Sequence, residues 1–233
     1  MAGLNKKGII FTLVSILIVT VLVMSFSSQS YITLKDRVPV IDSRFNIANN
    51  YVIDLKSAYL ERALYVNSIR SLFATAVYVN KSQLYLSDAS ALNSVFKELL
   101  LNGTIGGTAA DDVLEVPIFK GNNFTERLNS IENASYNLLR INTTFDKNYE
   151  DIDVVVFQSN QTGPFRVGVN LTINFTVDAG IFLWNSSETI TTTFSIEGLE
   201  DPIYFMNTPG NEISNRIRES NFTSWNATNL YYH

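Results

Sequence analysis

The sequence contains no cysteine and a single histidine, His233, at its last position. The first absence excludes disulfides, thiolate catalysis and cysteine-based zinc or iron–sulfur sites. The second excludes a two-histidine metal site and leaves a Ser-His-Asp triad without a secure base. Charge is scarce as well: Asp, Glu, Lys and Arg make up 17% of the chain, where about 25% is usual. Asn, Ser and Thr supply the polarity instead. Beyond Lys6 and Lys7, fifteen basic residues stand against 22 acidic ones, a net −7, and none of the basic residues cluster. Tight nucleic-acid binding needs several phosphates neutralised together, so it is excluded. What is present is globular in character, 46% apolar and 12% aromatic.

One stretch lacks charge altogether. Residues 8–26 form a run of 19, interrupted only by Thr12, Ser15, Thr20 and Ser25. As a helix it measures about 28 Å, close to the hydrocarbon thickness of a bilayer. Lys6 and Lys7 precede the run, and the next charge is Lys35. Positive charge is retained on the cytoplasmic side, so the N-terminus is expected inside and the bulk of the chain outside. A cleavable secretory signal is the rival reading. Its apolar core is usually about 7–15 residues, shorter than this one, and Ser25-Phe26-Ser27 makes a poor cleavage site. The absence of cysteine fits export to a prokaryotic surface without oxidative folding.

Lys6-Lys7-Gly8, followed by Ile9-Ile-Phe-Thr-Leu-Val-Ser15, resembles the class III signal of type IV pilins and archaeal pilin-like proteins. The resemblance covers about 20 residues. It implies that a prepilin peptidase cuts between Gly8 and Ile9, with Lys7 as part of the recognised site. It also implies that the apolar helix then serves self-association. The fifth residue after Gly8 is Leu13, where many pilins carry Glu; that departure bears on filament assembly.

Asn-x-Ser/Thr triplets begin at Asn80, Asn102, Asn123, Asn133, Asn142, Asn160, Asn170, Asn174, Asn185, Asn221 and Asn226. All follow the apolar run, on the side the lysines place outside, and each is a candidate N-glycosylation site. An Asn- and Thr-rich chain also generates such triplets by composition. Asn170 and Asn174 lie four apart in a strand-like run, so they share one face, expected to be exposed.

The outer part begins with a linker over 28–42, where Pro39 is expected to interrupt any helix leaving the membrane. A helical region follows over 43–141. From Ala48 through Val52, Leu55, Tyr59, Ala63, Val66, Ile69, Phe73 and Ala76, apolar residues recur every 3.5 positions on average. That spacing is an apolar seam on one long helix, over 43–78. The seam packs on the domain's own sheet or, in a sharper reading, on another subunit. Further helices are expected near 88–101, capped by Ser87 or Asp88, and over 124–140. Residues 103–107 are a glycine-rich loop.

Residues 142–206 read as antiparallel β structure. One strand covers about 151–157. Another alternates Phe165, Val167, Val169, Leu171, Ile173, Phe175 and Val177 against polar neighbours. At least one more lies within 181–184 and 188–196. The stretch 198–204 closes the sheet, and a short helix covers 211–219. The segment 207–233 reads as cut short. The fold class expected is α+β: an N-terminal transmembrane helix (8–27, after a cytoplasmic 1–7), then a long amphipathic helix packed on an antiparallel meander.

No catalytic constellation emerges. Asp111-Asp112, Glu150-Asp151-Asp153 and Glu197-Glu200-Asp201 are paired acids, which glycosidase or calcium chemistry would require. As loop acids that cap helices and solvate the surface they need no such role, and no calcium-loop spacing is present. Trp184 and Trp225 lie near triplets and suit packing better than sugar stacking. The expectation is a non-enzymatic structural surface protein without cofactor or metal. Its expected partners are the lipid bilayer, a prepilin peptidase, and its own copies or other surface proteins. The alternatives are a single-pass surface binding or adhesion protein that forms no filament and, more remotely, an ectoenzyme.

Overall fold

A computed structural model describes the backbone of residues 6–82, 86, 88–158, 163, 165–201 and 215–218. Over 6–54 it describes the side chains of 14–25 and 40–54. By its contacts the chain divides into two units, Met1–Asn50 and Tyr51–His233.

The first unit is helical. Helix α1 runs Lys6–Asp54 without a break, so the linker expected over 28–42 is helix and Pro39 does not interrupt it. Proline's fixed φ is itself close to helical. Its penalty is one missing hydrogen bond and a crowded carbonyl four residues back, which a helix of 49 residues absorbs.

In the second unit the chain passes from α1 through a one-turn π segment, Leu55–Tyr59, into α2, Leu60–Ser82. The π turn adds one residue to the helix, and the seam read from the sequence slips by one after it. Val52 and Leu55 are buried as the spacing predicts, but the core then continues with Leu60, Leu64, Asn67, Ser68, Ser71, Ala74, Thr75 and Val79. Tyr59 and Phe73, both in the predicted seam, are exposed. Three polar members of this buried face bond locally, while Ser68 Oγ and Asn67 Oδ1 have no partner among the described residues. Asn67, Ser71 and Thr75 each donate to the carbonyl four residues back, at 2.8–2.9 Å.

Helix α3, Ala89–Asn102, starts where Asp88 accepts the N–H of Ala91 at 2.8 Å and ends at Gly103, whose φ of 66° suits a residue without Cβ. The expected glycine-rich loop is a small hairpin, β1 (Thr104–Ile105) against β2 (Thr108–Ala109). Gly106 and Gly107 form its two-residue turn with φ of 58° and 79°, values that favour glycine. Helix α4, Ala110–Leu114, follows. Ala110, Leu114 and Phe119 join Ala74 and Leu99 in one buried cluster. Helix α5, Phe124–Ala134, is shorter than expected because its last turn, Ser135–Leu139, is a second π segment.

The sheet has four strands: β3 (Asn142–Phe145), β4 (Asp153–Phe157), β5 (Arg166–Asp178) and β6 (Leu183–Ser195). β5 is central. All of it pairs with β6 on one side, while β3 and β4 share its other side end to end. All pairings are antiparallel, and β4, β5 and β6 follow one another as in a meander, but β3 pairs with β5 and not with the next strand in the chain, β4. The two runs expected near 181–184 and 188–196 are one 13-residue strand. The alternation on β5 holds: Val167, Val169, Leu171, Ile173, Phe175 and Val177 are buried. Helix α2 lies against β6, where Tyr65 meets Phe194 edge-on at 6.2 Å, and α3 lies against β4. Past the sheet, Glu200 bridges Arg216, and Gly198, Leu199 and Asp201 exchange backbone bonds with 215–217. Those extended pairings replace the helix expected over 211–219 for residues 215–218; 211–214 and 219 lie outside the described residues.

Candidate functional site

Two features stand out. The first is on α1. Val14, Ile16, Leu17, Ile18, Val19, Val21, Leu22, Val23 and Met24 are between 48% and 68% exposed. Every large apolar side chain described there lacks cover, which isolated exposed leucines on ordinary surfaces do not match. Thr20 hides its hydroxyl by donating to the Ile16 carbonyl at 2.7 Å, an arrangement that suits a backbone in apolar surroundings. Among the described residues no helix is long and apolar enough to cross a membrane. The described side chains of the expected anchor are 14–25; the rest of the run lies outside them. Lys7, Gly8 and Ile9 fall on helical backbone, and their side chains are likewise outside.

The second feature is the sheet face turned away from the helices. Partners directly across an antiparallel pair share a face, so the register brings Asn170 beside Thr191, Thr172 beside Thr189, Asn174 beside Ser187 and Thr176 beside Asn185. Hydroxyls knit the strands together. Thr172 and Thr189 share a bond of 2.9 Å, Thr176 donates to Asn185 Oδ1 at 2.9 Å, and Thr191 donates to Asn170 Oδ1 at 2.8 Å. In both asparagines the oxygen is engaged and the amide nitrogen, the atom that N-glycosylation modifies, is left over. On the other edge, Asn142 and Thr144 of β3 lie on this face opposite Asp178 and Thr176. Four triplet asparagines therefore share one surface: Asn142, Asn174 and Asn185 exposed, Asn170 half-buried. Thr144, Asn174, Thr176, Asn185 and Ser187 border an open hollow of about 510 Å³.

The remaining triplets are scattered. Asn80 lies near the end of α2, Asn102 ends α3, and Asn133 is exposed on α5. Asn123 is structurally committed. Its Oδ1 accepts the Glu126 N–H at 2.8 Å as the cap of α5, and its Nδ2 donates to the Asn102 carbonyl at 3.0 Å. Asn160, Asn221 and Asn226 lie outside the described residues, as do Trp225 and His233.

The acids singled out by sequence do not converge. Asp111 is an intramolecular staple: its carboxylate accepts the N–H groups of Ile118, Phe119 and Lys120 at 2.7–2.9 Å. Burial pushes its pKa up, but those three donors outweigh it and hold the carboxyl below its usual range. Asp151 accepts the Asn148 amide at 2.6 Å, and the backbone of Glu200 pairs with that of Arg216. Among the described residues no group of three or more His, Cys, Asp or Glu could hold a metal ion. Trp184 packs on Phe182, ring centres 5.9 Å apart.

No protein-family model, no curated protein and no solved structure matches the chain.

Sequence reasoning missed the contact that ties the first π segment to the sheet. Lys56 pairs with Glu188 of β6, bonds Ser186 Oγ at 2.8 Å and lies 5.9 Å from the centre of the Phe175 ring. The Lys56 hydrogen bond, helped by Ser186, holds Glu188 below its ordinary pKa. A lone Lys in a helix and a Glu in a Thr-rich strand carry no mark of such pairing, because the intervening elements decide it. Tyr51 similarly shares a 2.9 Å bond with Thr143 of β3 across 92 residues.

Proposed function

We propose that this chain is a structural surface protein of pilin-like type, held in the membrane by the apolar start of its N-terminal helix and exposing an α+β domain outside. The observation that supports it is the uncovered run from Val14 to Met24. Nine large apolar side chains exposed around a helix require lipid or neighbouring copies of the same helix as their surroundings. Lys6 and Lys7 orient the helix with its start inside. The asparagine-bearing sheet face is compatible with an outer surface shielded by glycans rather than by charge, in keeping with the low charge content. The Asp111 carboxylate is taken up by three backbone N–H groups and the other acids among the described residues do not converge, so no catalytic role is assigned to them.

N-terminal sequencing of the mature protein from its own membrane tests the pilin-like part. A first residue of Ile9 is expected, the product of cleavage after Gly8. An intact Met1 or Ala2 would remove the filament reading and leave a stationary single-pass protein.

A further inference from the structure

The seam displaced by the first π turn does not face solvent aimlessly. Tyr59, Ala63 and Val66 form one wall of a groove whose other wall is Ile131 and Ala134 of α5, with a volume of about 510 Å³. Arg62 and Arg127 flank it, and no acidic residue lines it. Among the described residues neither arginine side chain has an ion pair or hydrogen bond. Asn67 belongs to the same lining and is fully buried. Its nitrogen donates to Ala63, while its oxygen has no partner. The groove adjoins an apolar annex of about 320 Å³, where Tyr51, Leu138 and Leu139 join Tyr59, Ile131 and Ala134. Both π segments contribute: Tyr59 closes the first, and Leu138 and Leu139 end the second. Single π turns concentrate at functional sites.

We propose that this groove binds a small amphiphilic carboxylate, its apolar body between the α2 and α5 walls and its carboxylate on Arg62 and Arg127. The volume lies in the range of small-molecule sites, about 300–1,000 Å³. Two unpaired guanidinium groups beside an apolar trough have the charge and fork geometry for a carboxylate, and no side chain of the lining supplies one. The inference does not depend on the membrane reading.

Calorimetric titration of the full-length protein in detergent with 2-naphthoate, against a detergent blank, tests it, with 2-naphthamide as the uncharged comparison. Saturable one-to-one binding of the acid is expected, with the amide at least about tenfold weaker. Arg62→Gln with Arg127→Gln should weaken the acid about tenfold and leave the amide unchanged. Ala134→Trp should abolish both, circular dichroism establishing that the fold persists; the arginine pair, on the rim, decides the matter if that variant does not fold. Non-saturable uptake, equal binding of acid and amide, or full affinity in the arginine variant would overturn the proposal. So would a dimer, seen by light scattering, that Ala134→Trp disrupts, since a second copy would then own the groove.

Discussion

Replacing Gly168 with Ala should destabilise the domain by pushing a single ring off the sheet. Gly168 is opposite Phe157 in the β4–β5 register, and the far end of that ring lies over its Cα. A Cβ built there would stand 2.3 Å from Phe157 Cζ and 2.7 Å from both Cε atoms. No strained φ is involved, so the whole effect is this collision. The obstacle is the tip of a side chain that can rotate, so the ring swings outward and the backbone stays. Uncovering some 40 Å² of apolar surface at ~25 cal/mol per Å² costs about 1 kcal/mol, and imperfect repacking raises this to about 1–2 kcal/mol. For a unit of this size that is a fall in Tm of roughly 3–6 °C. Phe157→Ala should lose a similar amount, since the ring's cover of the glycine disappears. The double variant should then cost clearly less than the sum, because the methyl group added at position 168 no longer has a ring to displace. Thermal unfolding of the four proteins by circular dichroism measures the cycle. A neutral Gly168→Ala, or strictly additive losses, would refute the packing of Phe157 on Gly168.

Asn123→Ala should cost about 1–2 kcal/mol, as it removes the α5 cap and a second bond to Asn102; urea unfolding reads this. Glycopeptide mass spectrometry should find Asn174 and Asn185 occupied before Asn123, whose nitrogen is already used in the fold. Acid sensitivity should shift on Glu188→Gln. The lowered folded pKa of Glu188 means that its stabilisation is complete above the ordinary carboxylate value and lost as pH falls through the folded one. The variant, short of that contribution, should show a flatter decline in Tm below about pH 4.5, with a loss at neutral pH under about 1 kcal/mol because the pair is a third exposed.

Sequence periodicity revealed the helices, the central strand and the α+β class, because each rests on local alternation and caps. Asp88, Gly103 and the buried row from Val167 to Val177 sit where that logic puts them. It failed where one residue changes phase. The π turn at Leu55–Tyr59 is invisible in a 3.5-residue count, yet it moves Tyr59, Ala63 and Val66 out of the core and brings in Leu60, Leu64 and Ser71. A small polar face such as Asn67, Ser71 and Thr75 does not look like core, because its self-bonding is a property of the helix already formed. Pro39 misled for the opposite reason: a local penalty was outweighed by the length of helix around it. The triplets of the outer face were all visible as words; that four of them share one surface depended on the register of β3, β5 and β6.

The lack of cysteine makes the central claim, an outward-facing domain on an inward-started helix, directly measurable. A Thr189→Cys substitution puts one thiol on the exposed sheet face of an otherwise thiol-free chain. A membrane-impermeant maleimide added to intact cells should label it fully, with no further gain after lysis. Labelling only after the cells are broken would place the domain inside and contradict the account.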